Sequence, residues 1–261
     1  MRKKEAVPIE ELDGALEVTP KASKTISNRK LLDDIIAKEN KKAGRPIIMR
    51  ANDSRLVRGV LSTGNVALDE VLGGGLVKGL SVEIYGAAGA GKTSTCCTII
   101  KEAQKDAPEA IQFYFGSESD APLIYFENND INTDNLFLIR PLTSAEESLD
   151  VILSSLRSLR EVVNVNLIVI DSVAALAPQS EMNKSEEKGI SSQDMAIQAR
   201  LLSKLHRIIS GGGYLADGAI LVMTNQERMQ LGQTPLPNTT PGGLANRFYC
   251  KTRFRLTCPK A

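Results

Sequence analysis

Gly86-Ala87-Ala88-Gly89-Ala90-Gly91-Lys92-Thr93 reads as G-x-x-x-x-G-K-[ST] in full. The octet lies between an apolar run, Leu80 to Tyr85, and a stretch of helical pattern, Lys92 to Ala103. That strand–turn–helix setting gives the match its meaning. Triphosphate oxygens need backbone N–H donors at close range, and glycines let the chain wrap them without a Cβ in the way. The N-terminus of the following helix adds its positive dipole end. In such a cradle Lys92 reaches the β- and γ-phosphates, and the Thr93 hydroxyl holds Mg2+. A chance glycine-containing turn is the competing reading, and the flanks argue against it.

Working outward, further apolar runs predict strands at Ile111 to Phe115, Leu136 to Ile139, Leu167 to Ile170 and Ala219 to Thr224. Helices are expected from Ser144 to Glu161, opened by a capping box of Ser144 with Glu147, and from Asp194 to Ile209. Helices alternating with continuous apolar strands predict an α/β fold: a mainly parallel sheet covered on both faces. Phe248 to Leu256 alternates and reads as an antiparallel strand. Upstream, Leu31, Leu32, Ile35 and Ile36 fall at helical spacing, and Ala43-Gly44-Arg45-Pro46 is a normal helix stop. The expected division is a mobile tail over 1–27, a helical segment and linker over 28–58, and a nucleotide-binding core over 59–261.

Composition narrows the function classes. The chain has 261 residues, 42% apolar and 24% charged, as in folded soluble proteins. No apolar run is long enough to span a membrane, and the polar start Met1-Arg2-Lys3-Lys4-Glu5 is unlike a secretory leader. A cytoplasmic location with reduced thiols is therefore expected for the four cysteines, whose spacing is not that of a zinc site. Net charge is +1, so a nucleic-acid partner needs a local basic patch rather than a global field. The single histidine, His206, rules out a His-dependent triad and reads as a residue on the surface of its helix.

A second acidic group is needed to hold the metal through water. Asp171, closing the apolar run Leu167-Ile168-Val169-Ile170, supplies it. A plain helix N-cap after a buried strand is the other reading, and the two are compatible.

With these residues in place, the chain resembles the RecA family of recombination ATPases, as a short or phage-type relative. The resemblance runs from about Asn28 to Leu256. It is carried by Ser62-Thr63-Gly64 with Leu68-Asp69, Gly73-Gly74-Gly75-Leu76, Val82 to Gly86, Asp171 to Pro178, Asn225 to Met229 and Thr239 to Gly243. It implies ATP and Mg2+ as cofactors, a RecA-like core, single- and double-stranded DNA as partners, and helical filaments of copies of the chain. Recombination and repair follow from that, with no membrane role.

The resemblance assigns Glu118 to activating the attacking water, Tyr125 to stacking on adenine and Ser94 to the nucleotide cradle. Gln226 would sense the γ-phosphate and alter the DNA loop, work that suits an amide able to donate without burying charge. Tyr125 as a half-buried core tyrosine and Gln226 as an ordinary strand-end residue remain open alternatives. The DNA contacts implied are Arg200, Arg228, Met229, Gly242 and Gly243, with loops at Asn183 to Ser192 and Glu227 to Pro241. Between Gln226 and Ala261, Arg228, Arg247, Lys251, Arg253, Arg255 and Lys260 face one acid, Glu227. This excess either meets phosphates or is a solvated face. The second loop lacks aromatics, and the chain stops soon after Leu256. A regulatory relative that binds nucleotide and another recombinase is the alternative function, and a helicase-type motor a weaker third.

Overall fold

The computed structural model describes residues 22–44, 46–54, 58–116, 123–140, 144–159, 162–180, 193–229 and 238–258. Contacts divide the chain into two units, Met1–Val57 and Arg58–Ala261.

In the first unit the helical spacing around Leu31 becomes α1, Ala22–Ala43, which begins earlier than the apolar pattern suggests. Lys41 and Lys42 occupy its last turn, where cations complement the helix dipole, and Gly44 follows at φ +66°. Asn40 fastens the chain that comes after. Its Oδ1 accepts from the N–H groups of Ile47 and Ile48, both at 2.8 Å, and its Nδ2 donates to the Ile48 carbonyl at 2.9 Å. Leu31, Leu32 and Ile35 stay exposed along the helix.

The second unit opens with α2 (Val66–Val71) between the antiparallel strands β1 (Val60–Leu61) and β2 (Leu76–Val77). Asp69 accepts from Ser62 Oγ at 2.6 Å and from Thr63 N and Oγ1 at 2.7 Å each. The Ser62-Thr63-Gly64 stretch is thereby clasped to α2. Next come β3 (Ser81–Gly86), α3 (Lys92–Asp106), β4 (Ile111–Gly116), α4 (Leu123–Glu127) and β5 (Leu136–Ile139). After them stand α5 (Ala145–Leu159), whose first turn is capped by Ser144 accepting from Glu147 N at 3.2 Å, and β6 (Val165–Asp171). The remaining described elements are α6 (Gln193–Gly211), β7 (Ile220–Gln226), β8 (Arg228–Met229), β9 (Asn238–Thr239), α7 (Ala245–Tyr249) and β10 (Thr252–Leu256).

Six strands form one sheet in the order β10-β3-β7-β6-β4-β5, every neighbouring pair parallel. Successive side chains on a strand point to opposite faces. On one face Leu167, Val169, Ile220 and Val222 pack with Cys96, Ile99 and Ile100 of α3. On the other, Ile168, Ile170, Leu221 and Met223 pack with Ile152 of α5 and Leu202 and Leu205 of α6. Each fully buried aliphatic side chain stabilises the fold by about 1.5–3 kcal/mol. Burial on both faces is why these strands read as unbroken apolar runs.

Two expectations give way. Phe248 to Leu256 is not an antiparallel strand. Its first part lies in α7, and β10 runs parallel to β3, with Thr252 opposite Val82 and Leu256 opposite Gly86. Alternation reports that one side of an edge strand is better covered than the other; it carries no information on direction. His206 is not on the helix surface either. It is fully buried, stacked on Tyr249 at 4.8 Å with 4° between the ring planes.

The hydrogen bonds around His206 settle its tautomer. Glu83 Oε1 accepts from Asn246 Nδ2 at 2.9 Å, which turns Asn246 Oδ1 toward His206 Nε2, also at 2.9 Å. Nε2 therefore carries the proton, and Nδ1 is buried with no partner. Burial holds the imidazole below its ordinary value of 6.5, although the Asn246 bond and the Glu83 charge pull the other way. A folded pKa below the unfolded one means that the unfolded chain binds the extra proton as pH falls through about 6.5. Stability is thus full above that value and lost below it. We expect the urea midpoint of the parent to fall more steeply below pH 6.5 than that of His206→Gln. The difference is bounded at about 1.4 kcal/mol per pH unit for one proton. Parallel pH profiles of the two proteins would refute the assignment.

Candidate nucleotide site

The glycine turn forms where three strand ends meet. Gly86 closes β3 and stands in register with Gln226 on β7 and Leu256 on β10. A Cβ on Gly86 would lie 2.3 Å from the Leu256 carbonyl oxygen, so the close approach of β10 requires glycine there. Gly89 and Gly91 adopt φ of +73° and +87°, and nothing lies within 4 Å of where their Cβ atoms would be. Ala87, Ala88 and Ala90 fill the rest of the turn, and α3 starts directly behind it at Lys92. The result is an open, positively polarised cradle.

Lys92 is buried, and its Nζ donates to the carbonyls of Ala87 at 2.8 Å and Gly86 at 3.2 Å. A buried ammonium held by neutral carbonyls fits an anion well, because charge-assisted bonds to phosphate are about twice as strong as neutral ones. Ser94 Oγ meets Tyr125 OH at 3.0 Å, so Tyr125 stands half-buried against the first turn of α3, edge-on to Phe126. This joins the aromatic to the cradle. It equally gives Tyr125 a place in the core, where it packs against the α3 face of the sheet.

Asp171 closes β6 and is buried. Its Oδ2 accepts from Thr93 Oγ1 at 2.7 Å and from Tyr114 OH at 2.8 Å, and its Oδ1 accepts from Thr224 Oγ1. Thr93 and Asp171 thus present adjoining oxygens, the donor type that Mg2+ takes. Burial first, and then the Asp171 charge, pushes the Tyr114 phenol far above its usual range, so it remains a donor. The same two causes push the Cys97 thiol up to about 11. Cys96, fully buried, rises well above its ordinary value for the same reasons and for the neighbouring Cys97. Neither thiol is a nucleophile here. Tyr114 and Thr224 went unread in the sequence. The available signal was a hydroxyl within each of two largely apolar strands.

The end of β7 adjoins the cradle. Besides the register of Gln226 with Gly86, the Glu227 N–H donates to the Gly86 carbonyl at 3.0 Å. One carbonyl thus serves both Lys92 and the residue after Gln226. The Gln226 backbone N–H is held by Asn225 Oδ1 at 3.0 Å.

The other expected residues are placed unevenly. Glu118 and the loop from Asn183 to Ser192 lie outside the described residues; β4 ends at Gly116, in register with Asp171. Arg228 and Met229 form β8, paired with Thr239 and Asn238. Arg200 is exposed on α6. Gly242, at φ +89°, and Gly243 run along the same helix, where Cβ atoms would come 2.3 Å from Leu202 Cδ1 and 3.0 Å from Ala199 Cβ. Close packing against α6 thus explains Gly242 whatever else it does. The basic excess near the C-terminus is partly internal. Arg253 Nε donates to buried Glu83 at 2.5 Å and its guanidinium lies 4.9 Å from the centre of the Tyr85 ring, while Arg255 donates to Glu227 at 2.8 and 3.1 Å. Arg253 is therefore neither a free phosphate contact nor part of a solvated face, because it is paired with buried Glu83, 170 residues away in the chain.

Comparison with known proteins agrees with this geometry. The RecA N-terminal domain matches the chain over residues 30–259. Protein RecA of Campylobacter hominis is 34% identical over 232 residues, covering 87% of this chain and 63% of that protein. Protein RecA of Wolbachia sp. subsp. Brugia malayi is 36% identical over 234 residues, covering 88% and 62%. Protein RecA of Synechococcus elongatus is 34% identical over 227 residues, covering 86% and 60%. The chain therefore spans less than two thirds of the length of these curated relatives.

Thr93 offers a clean test of the metal-side geometry. Nucleoside triphosphate affinity should be higher with Mg2+ than with EDTA in the parent, and Thr93→Ala should shrink that ratio by about tenfold, the value of one lost charge-assisted ligand. Titration calorimetry reads both; an unchanged ratio would remove Thr93 from the metal site.

Proposed function

The chain belongs to the RecA family, and we propose on that basis that it is a DNA-dependent ATPase and recombinase. In this reading it binds single-stranded DNA, assembles into helical filaments, and promotes pairing and strand exchange with double-stranded DNA, within the cytoplasm. The observation that carries it is the shared Gly86 carbonyl. It receives Lys92 Nζ from the phosphate side and the Glu227 N–H from the start of the segment that would meet DNA. A phosphate that draws Lys92 away changes what holds β7 at Gln226.

The roles follow from this placement. The turn from Gly86 to Gly91 and the N-terminus of α3 cradle the phosphates, with Lys92 exchanging neutral carbonyls for anionic oxygens. Thr93 would ligate the metal directly and Asp171 through water, kept in place by Tyr114 and Thr224. A magnesium ion held by these oxygens would supply neutralisation of phosphate charge. Glu118 orients the attacking water, since phosphoryl transfer depends mainly on positioning and charge. Tyr125, tied to Ser94, stacks on the base. Gln226 senses the terminal phosphate, and Arg200, Arg228, Met229, Gly242 and Gly243 line the path of the DNA. Residues 59–261 form the ATPase core in this reading; because α1 already begins at Ala22, the expected tail does not extend to residue 27, and the helix presents Leu31, Leu32 and Ile35 to a neighbouring copy.

Two variants test the reading. Lys92→Ala should abolish the ATP-dependent gain in single-stranded DNA affinity, measured by fluorescence anisotropy with and without ATP. Glu118→Gln should keep nucleotide while its turnover falls at least about a hundredfold, the contribution of a positioned base. Electron microscopy of the parent on DNA should show helical filaments; discrete complexes without stimulated hydrolysis would favour a regulatory relative, and rings a motor.

A further inference from the structure

Beneath Gln226 lies a buried polar cluster to which none of the roles above is assigned. Asn225, fully buried, uses every atom of its side-chain amide. Its Nδ2 donates to Glu83 Oε1 at 2.9 Å and to the Pro241 carbonyl at 3.0 Å, and its Oδ1 accepts from the Gln226 N–H at 3.0 Å. Gln226 and Pro241 are the two ends of the span that contains residues 227–240. One side chain therefore closes the base of that span.

Glu83 is the anchor for this closure. Fully buried on β3, it accepts from Asn225 and Asn246 at Oε1, both at 2.9 Å, and from Arg253 at Oε2, at 2.5 Å. Asn246 in turn binds His206 on α6. Among the described residues, the ionisable groups around Asn225 are Glu83 directly, Arg253 and the buried Cys250 thiol beside Glu83, and His206 behind Asn246. A buried carboxylate with three donors is a costly arrangement unless each donor stays in place. It gives the span two definite fastenings rather than a sliding contact.

We infer that Asn225 is a positioning residue, which holds the Gln226 backbone beside the glycine turn and ties both ends of the 227–240 span to Glu83. It touches neither nucleotide nor DNA in this role; it decides whether a change at Gln226 reaches the span as a unit. The inference rests on the reading of Gln226 given above for its functional consequence, and on the geometry alone for the fastening.

Asn225→Asp is the discriminating variant. It keeps the acceptor for the Gln226 N–H but removes both donations and sets a second carboxyl against Glu83. Two carboxyls at such a distance do not both ionise readily, and on acidification one takes a proton, so that a single O–H bridges the pair while the Pro241 carbonyl stays without its donor. At about pH 8, the variant should bind an ATP analogue within about twofold of the parent, yet lose about tenfold of the ATP-dependent gain in DNA affinity. Relative to the parent at each pH, the gain should return in part as pH is lowered toward about 5.5, because the Glu83 fastening re-forms and the Pro241 one does not. Amide hydrogen exchange in the nucleotide-free protein should show faster exchange at Gln226 at the higher pH, recovering toward the parent on acidification. Coupling and protection equal to the parent at every pH would overturn the inference, as would a loss that acidification does not relieve.

If the parent itself shows no ATP-dependent gain in DNA affinity, the recombinase reading fails and the exchange measurement alone decides the fastening. Should Asn225→Asp not fold, Asn225→Ala places no like charge against Glu83 and should lose coupling and protection alike at all pH values while retaining nucleotide. Parent-like behaviour in that variant would equally dismiss Asn225.

Discussion

The Gly86 carbonyl accepts from two directions, from the Lys92 ammonium at 3.2 Å and from the Glu227 amide at 3.0 Å. Both contacts depend on where β3 sits. It lies between β10 and β7, so the turn that follows it opens beside the last residues of both neighbours. Were β3 at an edge, the lysine would still find its own turn, but no strand end would adjoin it on the β7 side. Ligands of open parallel sheets gather at the carboxyl ends of the strands for this reason. Here the same place also joins the phosphate cradle to the start of the segment at 227.

Hydroxyl donors organise the other half of the site. Among the described residues no cation pairs with Asp171; Thr93, Tyr114 and Thr224 serve it instead, from α3, β4 and β7. Three elements thus converge on one carboxylate, and each donates without adding charge. A lysine or arginine in the same place would neutralise the acid and weaken its use toward a metal. The neutral donors hold the geometry of the carboxylate.

Behind these lies Glu83, whose three partners come from β7, α7 and β10. The core of this protein is therefore not wholly apolar. Its two hydrophobic layers supply most of the stabilisation, while the Glu83 cluster specifies how the last third of the chain returns to the sheet. A buried ionic cluster adds little net stability, but each missing partner is expensive, which favours one arrangement over near alternatives.

Much of the architecture was legible in the chain itself. The apolar runs located the strands, and the G-x-x-x-x-G-K-[ST] octet located the cradle, because backbone sterics and periodicity act over a few residues. In Phe248 to Leu256 only the part from Thr252 was legible as a strand; Phe248 and Tyr249 belong to α7, and the direction of β10 depends on which strand it joins. His206 read as a surface residue because a helix pattern does not reveal Asn246, 40 residues away. The C-terminal arginines read as a patch because Glu83 lies far back in the sequence. Tyr114 and Thr224 were invisible as partners of Asp171 until three elements met.

The amino-acid sequence by itself determined the local chemistry: where the main strands and helices of the core lie, which turn has the form of a phosphate cradle, and which acid ends an apolar strand. Those properties are set by neighbours along the chain. Only the tertiary structure decided which charges are satisfied, which polar groups are buried and which ends lie side by side. Burial and pairing depend on residues brought together from up to 170 positions apart, and no short-range pattern encodes that meeting.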